Sequence, residues 1–193
     1  MTTLGNPANS ANSEPARGGD QARLEHRMRR VGLAAGVVAL VLGLFVLVVG
    51  WFLDVDGART FVPGSTGMKV NTAVGLVLLG FALVVVECSA AVLWRRVAYA
   101  CCAAAVLIGS ATLIEYVFGL DFGIDELLAR DVHHGLELVE PGRMAATVAV
   151  CLVLVGAALV LRLRLGAFRA WTWQACALVA ALLGYITLLA YVF

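Results

Sequence analysis

The chain has 193 residues, 62% of them hydrophobic and only 14% charged, with a mean hydropathy of +0.93. An ordinary soluble domain is roughly half apolar and about a quarter charged, so a core folded in water would lack the polar surface to cover it, and lipid is the expected solvent. The formal net charge of +1, with no basic stripe interleaved with aromatics, gives no support to nucleic-acid binding.

Residues 1–20 are rich in Ser, Asn, Gly, Pro and Ala and show no apolar periodicity. They cannot bury enough apolar surface to offset the entropy of ordering, which predicts a disordered tail. A basic flank follows, with Arg23, His26, Arg27, Arg29 and Arg30. Residues 1–29 therefore read as a cytoplasmic tail and residues 30–193 as a transmembrane helical domain. The first apolar run, 31–53, exceeds the roughly 7–15 residues of a signal-peptide core and reads as a retained span. Gly32 and Gly36 form a GxxxG at its start, the spacing of a helix dimer face.

Four further apolar runs, 70–94, 97–118, 144–161 and 170–193, each approach the ~20 residues that cross a bilayer as helix. The connections at Arg95-Arg96 and at 162–169 are short and basic, whereas 54–69 and 119–143 are longer and mostly acidic. Under strict alternation the N-terminal flank and both basic turns fall on one side. By the positive-inside rule that side is the cytoplasm, in a bacterial inner membrane, and residue 193 lies outside. Trp94, Trp171 and Trp173 mark the inner interface and Trp51 the outer one. Gly75, Gly80, Gly109, Gly156 and Gly184 give smooth faces for close helix packing. The expected fold is an all-α integral membrane bundle of about five transmembrane helices.

Ionisable groups at mid-bilayer cost about 2.5–3.5 kcal/mol or more, so each needs a reason. Glu115 lies about one turn from the outer end of the third span, at the depth of Lys69, Asn71 and Thr72 at the start of the second. These four residues read either as the floor of an outward-facing ligand pocket or as a structural clamp between hairpins, with Glu115 paired to Lys69 or Asn71. Glu87 lies about two turns from Arg95-Arg96 and can snorkel toward them. In the long outer loop, residues 123–131 have helical spacing. His133 and His134, with Asp125 nearby, are candidates for external sensing; no third spaced ligand makes them a metal site. The five cysteines, Cys88, Cys101, Cys102, Cys151 and Cys176, lie in apolar runs without metal spacing and read as small hydrophobes. No nucleophile with a paired base, phosphate loop or HExxH appears, so neither catalysis nor a cofactor is expected.

Two alignments suggest that the hairpins repeat. Leu107, Gly109, Thr112, Leu113, Tyr116, Val117 and Phe118 recur as Leu182, Gly184, Thr187, Leu188, Tyr191, Val192 and Phe193. Residues 68–80 (MKVNTAVGLVLLG) align with 144–156 (MAATVAVCLVLVG), and Pro63-Gly64 and Pro141-Gly142 precede the two segments. A single hairpin cannot bury its own faces, so such units stack. The fifth span corresponds to half of a unit, which gives the expectation of a fragment or truncated relative with at least one further span.

The segments 63–73 (PGSTGMKVNTA), 115–128 (EYVFGLDFGIDELL) and 141–144 (PGRM) resemble the repeated-hairpin membrane input region at the N-terminus of bacterial PAS-containing sensor histidine kinases and diguanylate cyclases. Thr147-Val148 departs from the pattern of Asn71-Thr72. The resemblance covers about residues 50–193 and implies a sensory input module with a cytoplasmic output domain outside this chain. The partners expected are the lipid bilayer, a second copy in a homodimer, and that output domain. A small transporter or a structural subunit of a membrane complex is the other reading that the sequence leaves open.

Overall fold

The computed structural model describes residues 14–53, 55–59, 67–120, 123, 143–165 and 170–192. The helices are α1 (Glu14–Phe45), continued by π-helical turns at Val46–Phe52, a single turn α2 (Asp56–Arg59), α3 (Val70–Cys88), α4 (Val92–Phe118), α5 (Ala146–Leu165) and α6 (Ala170–Val192). No strand occurs among the described residues. Five helices, all but α2, are long and apolar enough to cross a membrane. The protein is a multi-pass helical membrane protein.

Four boundaries differ from the sequence expectation. Helix α1 begins at Glu14, so residues 14–29 are helix rather than disordered tail. Pro15 falls in the first turn, where its missing N–H forfeits no bond, and Glu25 precedes Arg29 by the four residues that favour a helical pair. The stretch Arg23–Phe52 is about 45 Å long at 1.5 Å per residue, so its arginine-bearing turns extend past the ~30 Å of hydrocarbon. The second span stops at Cys88, not 94, and the third starts at Val92, not 97. Ser89 takes extended backbone angles, and its hydroxyl accepts a 3.3 Å bond from the Ala91 amide. Arg95 and Arg96 therefore lie at the start of α4 and not in the turn. Hydropathy cannot locate a break that falls among alanines, valine and leucine. The fourth span, expected to stop at 161, continues as helix to Leu165.

Helices α3, α4 and α5 pack on one another, while α1 lies chiefly on α3 and α6 chiefly on α5. The core is small and apolar, with Ala82, Ala98, Cys102, Ala105 and Ala149 fully enclosed. Small residues matter because, between helices in lipid, van der Waals contact replaces the hydrophobic drive. The α1–α3 approach is the closest case. A Cβ at Gly80 would stand 2.6 Å from the Leu40 amide nitrogen and 2.8 Å from the Gly36 carbonyl oxygen. Gly32 and Gly36 thus face Glu87, Gly80 and Val84 of α3, and the GxxxG serves this chain's own packing. The outward faces of α1 and α6 remain apolar and exposed, as lipid-facing surface requires.

Residues 1–13, the Pro63-Gly64 and Pro141-Gly142 pairs, and Asp125, His133 and His134 lie outside the described residues.

Candidate functional site

Two polar centres occupy opposite ends of the bundle. The first is at the loop end, where α4 finishes and α3 and α5 begin. Glu115, in the last turn of α4, is fully buried, and Thr112 one turn earlier is equally enclosed. Both face inward because positions three apart share a helix face. Asn71, in the first turn of α3, is 2% exposed, while Lys69 and Thr72 beside it are half-buried. The sequence-derived residues are therefore brought to one end of adjacent helices, two inside and two at the margin.

A cation facing Glu115 was not among those expected. Arg143, in the segment leading into α5, places Nε 4.0 Å from Glu115 Oε2, with its side chain only 9% exposed. Its guanidinium lies 5.4 Å from the centre of the Tyr116 ring, and Nη2 donates to the Leu120 carbonyl at 3.3 Å. The Tyr116 hydroxyl donates across to the Met144 carbonyl at 3.1 Å. Gly119, at φ +63°, ends α4 in the left-handed conformation that glycine adopts without strain. Arg143 is thereby tied to Glu115, Tyr116 and Leu120 at once. The Thr112 hydroxyl is buried with no hydrogen-bond partner among the described residues. Nearby, the Trp51 indole at the end of the π-helical turns donates to the Met68 carbonyl at 3.3 Å.

The second centre is at the basic end. Glu87, near the end of α3, accepts from Arg162 Nη1 of α5 at 2.5 Å; the two side chains are 5% and 35% exposed. Arg29 Nε of α1 donates to the Glu87 carbonyl at 2.7 Å. Arg95 Nη2 of α4 donates to the Leu163 carbonyl at 2.9 Å. The Arg162 guanidinium lies 5.7 Å from the Trp173 ring centre of α6. All five spanning helices meet here. An open cleft of about 430 Å³ lies among Arg29, Glu87, Ser89, Arg95 and Arg162.

The sequence placed a cation near Glu87 correctly in kind but directed it to Arg95-Arg96. Arg95 is instead spent on the α5 carbonyl end, and Arg162 takes the carboxylate. The signal was present: Glu87 and Arg162 each fall close to the C-terminus of helices, α3 and α5, that run in the same direction toward the basic end. Which arginine reaches which acceptor depends on α3 touching α5, which hydropathy cannot report.

Among the described residues, the buried polar side chains are Asn71, Thr112 and Glu115 at one end and Glu87 at the other. Between them the buried residues are apolar, including Leu79, Ala82, Cys102, Ala105 and Leu152. Among the described residues no three His, Cys, Asp or Glu side chains converge on a metal position, and all five cysteines are free thiols.

No protein-family description, no curated protein and no solved structure matches this chain.

Proposed function

We propose that the protein is a sensory input module, built from repeated helical hairpins, that converts an event at its loop end into a rearrangement of its basic end. The location that goes with this reading is the bacterial cytoplasmic membrane, with the N-terminus and the basic end inside, facing an output partner. The observation that carries it is the placement of Arg143. A cation facing a fully buried carboxylate stands on the segment leading into α5. Taking a cation away from a buried carboxylate is costly, up to about 3–5 kcal/mol where no other partner compensates it. A ligand or proton that displaces Arg143 from Glu115 would therefore act directly on the packing of α4 against α5.

The basic end supplies the complementary half. Residues from five helices converge around Glu87 and Arg162, so a shift of α5 changes contacts to α3, α4 and α6 together. The apolar layer between the centres supports transmission by packed helices, which have few discrete arrangements, over passage of a polar solute.

The test uses the full chain with its five cysteines replaced by alanine or serine, reconstituted in lipid nanodiscs. Spin labels go at Leu93 and Trp171, both exposed at the basic end. Arg143→Ala at the far end is expected to displace or broaden the label-to-label distance by about 2 Å, the scale of helix shifts in switching proteins. An unchanged distance distribution, in protein whose thermal unfolding shows that the substitution was felt, would refute coupling between the two ends.

A further inference from the structure

The basic end holds more positive charge than its own partners answer. Its open cleft of about 430 Å³ is lined by Arg29, Arg95 and Arg162, one from each of α1, α4 and α5, against the single carboxylate of Glu87. Glu87 is 7% exposed and already accepts from Arg162 Nη1. Three guanidinium groups less one carboxylate leave the cleft a surplus of two positive charges. The other two arginines are held by backbone. Arg29 Nε donates to the Glu87 carbonyl and Arg95 Nη2 to the Leu163 carbonyl, in the last turns of α3 and α5, where helix carbonyls lack a partner. Capping takes one N–H from a guanidinium that carries five. Arg29 therefore keeps both terminal nitrogens, and Arg95 keeps Nε and Nη1, without a partner among the described residues.

The backbone adds donors to the same place. Ser89 and Ala90 line the cleft just ahead of α4, whose N-terminus has no side-chain cap. The first-turn amides of a long helix carry a partial positive charge, and such amides beside guanidinium groups are the donor set that a phosphate oxyanion takes. At the same end the Trp173 indole N–H, beside Arg162, is buried with no acceptor among the described residues. Depth is fixed by the aromatic residues. Trp94, in the first turn of α4, and Trp171, at the start of α6, are both exposed, and exposed tryptophans of a membrane protein settle at headgroup level. The cleft thus opens at the depth of lipid phosphates. Val92 and Leu93 beside it are exposed and apolar. Helix capping accounts for one N–H of each arginine, but not for three guanidinium groups around an open volume.

We propose that the basic-end cleft binds the phosphate headgroup of an anionic phospholipid. Arg29 and Arg95 donate to the phosphate oxygens, and Arg162 stays on Glu87, whose charge it keeps from repelling the ligand. Basic pockets between membrane helices recognise such headgroups. The cleft volume falls in the range of roughly 300–1,000 Å³ typical of small-molecule sites, which suits a glycerol-bearing headgroup better than one bare ion. The acyl chains of the same molecule lie along the apolar surface at Val92 and Leu93. A zwitterionic lipid offers the same phosphate, but its ammonium group meets the two surplus positive charges and is repelled. The proposal is independent of the signalling reading and of which leaflet the basic end faces.

The full chain in a non-ionic detergent is titrated separately with phosphatidylglycerol, phosphatidylcholine and inorganic phosphate. Native mass spectrometry counts bound lipid, and thermal unfolding is followed in parallel, because a ligand that binds only the folded state raises the Tm by mass action. Phosphatidylglycerol should be retained at one molecule per chain and raise the Tm saturably, less so as salt screens the charges. Phosphatidylcholine and inorganic phosphate should do neither. Arg29→Gln and Arg95→Gln should each weaken phosphatidylglycerol binding about tenfold, the scale of one charge-assisted hydrogen bond. Each variant is compared with its own lipid-free Tm, so the lost helix cap does not enter. If either fails to fold, the lipid preference of the unaltered chain decides. Arg164→Gln removes the same charge from the same end but outside the cleft, where Arg164 lies over the Tyr99 ring, and should bind as the parent does. The proposal is overturned if phosphatidylcholine binds as tightly, or if inorganic phosphate alone reproduces the rise in Tm. It is equally overturned if Arg29→Gln and Arg95→Gln bind as the parent does, or if Arg164→Gln weakens binding as much as they do, the mark of a general surface attraction.

Discussion

Alanine at Gly80 and alanine at Gly184 are the same chemical change in the same kind of helix, yet they should move stability in opposite directions. In a helix interior, Gly→Ala is worth about 1 kcal/mol in favour of the helix. At Gly184 no atom lies within 4 Å of the added carbon, so that gain survives. At Gly80 the added carbon meets Leu40 N at 2.6 Å, Gly36 O at 2.8 Å and Leu40 Cα at 3.0 Å. All three are backbone atoms and cannot rotate away. Ordinary carbon contacts lie near 3.5–4.0 Å, so α1 must back off α3 by roughly 0.7 Å or more. A gap of that size forfeits a quarter to a half of each contact it opens, and overpacking of this type costs about 1–3 kcal/mol. At the upper end, which immovable neighbours favour, the net loss is about 2 kcal/mol after the helix gain is subtracted. With roughly 2–4 °C per kcal/mol for a chain of this size, Gly80→Ala should lower the Tm in detergent by about 4–8 °C, and Gly184→Ala should raise it slightly. Gly109→Ala, with Ala149 O at 2.8 Å, should follow Gly80→Ala. If Gly80→Ala melts at or above the parent while expressing normally, the α1–α3 register described above is wrong.

Other outcomes follow from the two polar centres. Arg143→Ala removes the cation 4.0 Å from the buried Glu115 carboxylate, so it should destabilise more than Glu115→Gln, and the double variant should be less harmful than the sum; detergent melts of the three proteins check the order. A Glu115→Gln variant with unchanged expression and melting would refute the clamp between hairpins. A cycle of Glu87→Gln and Arg162→Ala should show a coupling energy of about 1–2 kcal/mol, inside the range for directly contacting residues and reduced because Arg162 is 35% exposed. Arg95→Ala should not share in that coupling, since it bonds the Leu163 carbonyl instead. Tyr116→Phe removes one hydrogen bond to the Met144 carbonyl and should cost about 1 kcal/mol, measurable as a small Tm decrease without loss of helix content.

Hydropathy alone determined that the chain crosses a membrane as helices. Five runs near 20 residues leave no other way to satisfy backbone polar groups in lipid, and composition requires lipid. The sequence also marked Glu115, Asn71 and Glu87 as the residues needing an explanation, because a charge or amide inside an apolar run is legible without a fold. It offered Lys69 or Asn71 to Glu115 and Arg95-Arg96 to Glu87, and pointed to neither Arg143 nor Arg162. Arg143 reaches Glu115 and Arg162 reaches Glu87 because α4 and α3 both pack on α5, and those distances are properties of the bundle. Hydropathy likewise ran through Ser89 without a break, since one hydroxyl barely alters an average over nineteen residues. The glycines show the division most plainly. Gly80 and Gly184 are alike in sequence, each in an apolar helix among alanines and leucines. Only the tertiary structure makes one a filled contact between backbones and leaves the other open, because a neighbour's distance is not written in a residue's own surroundings along the chain.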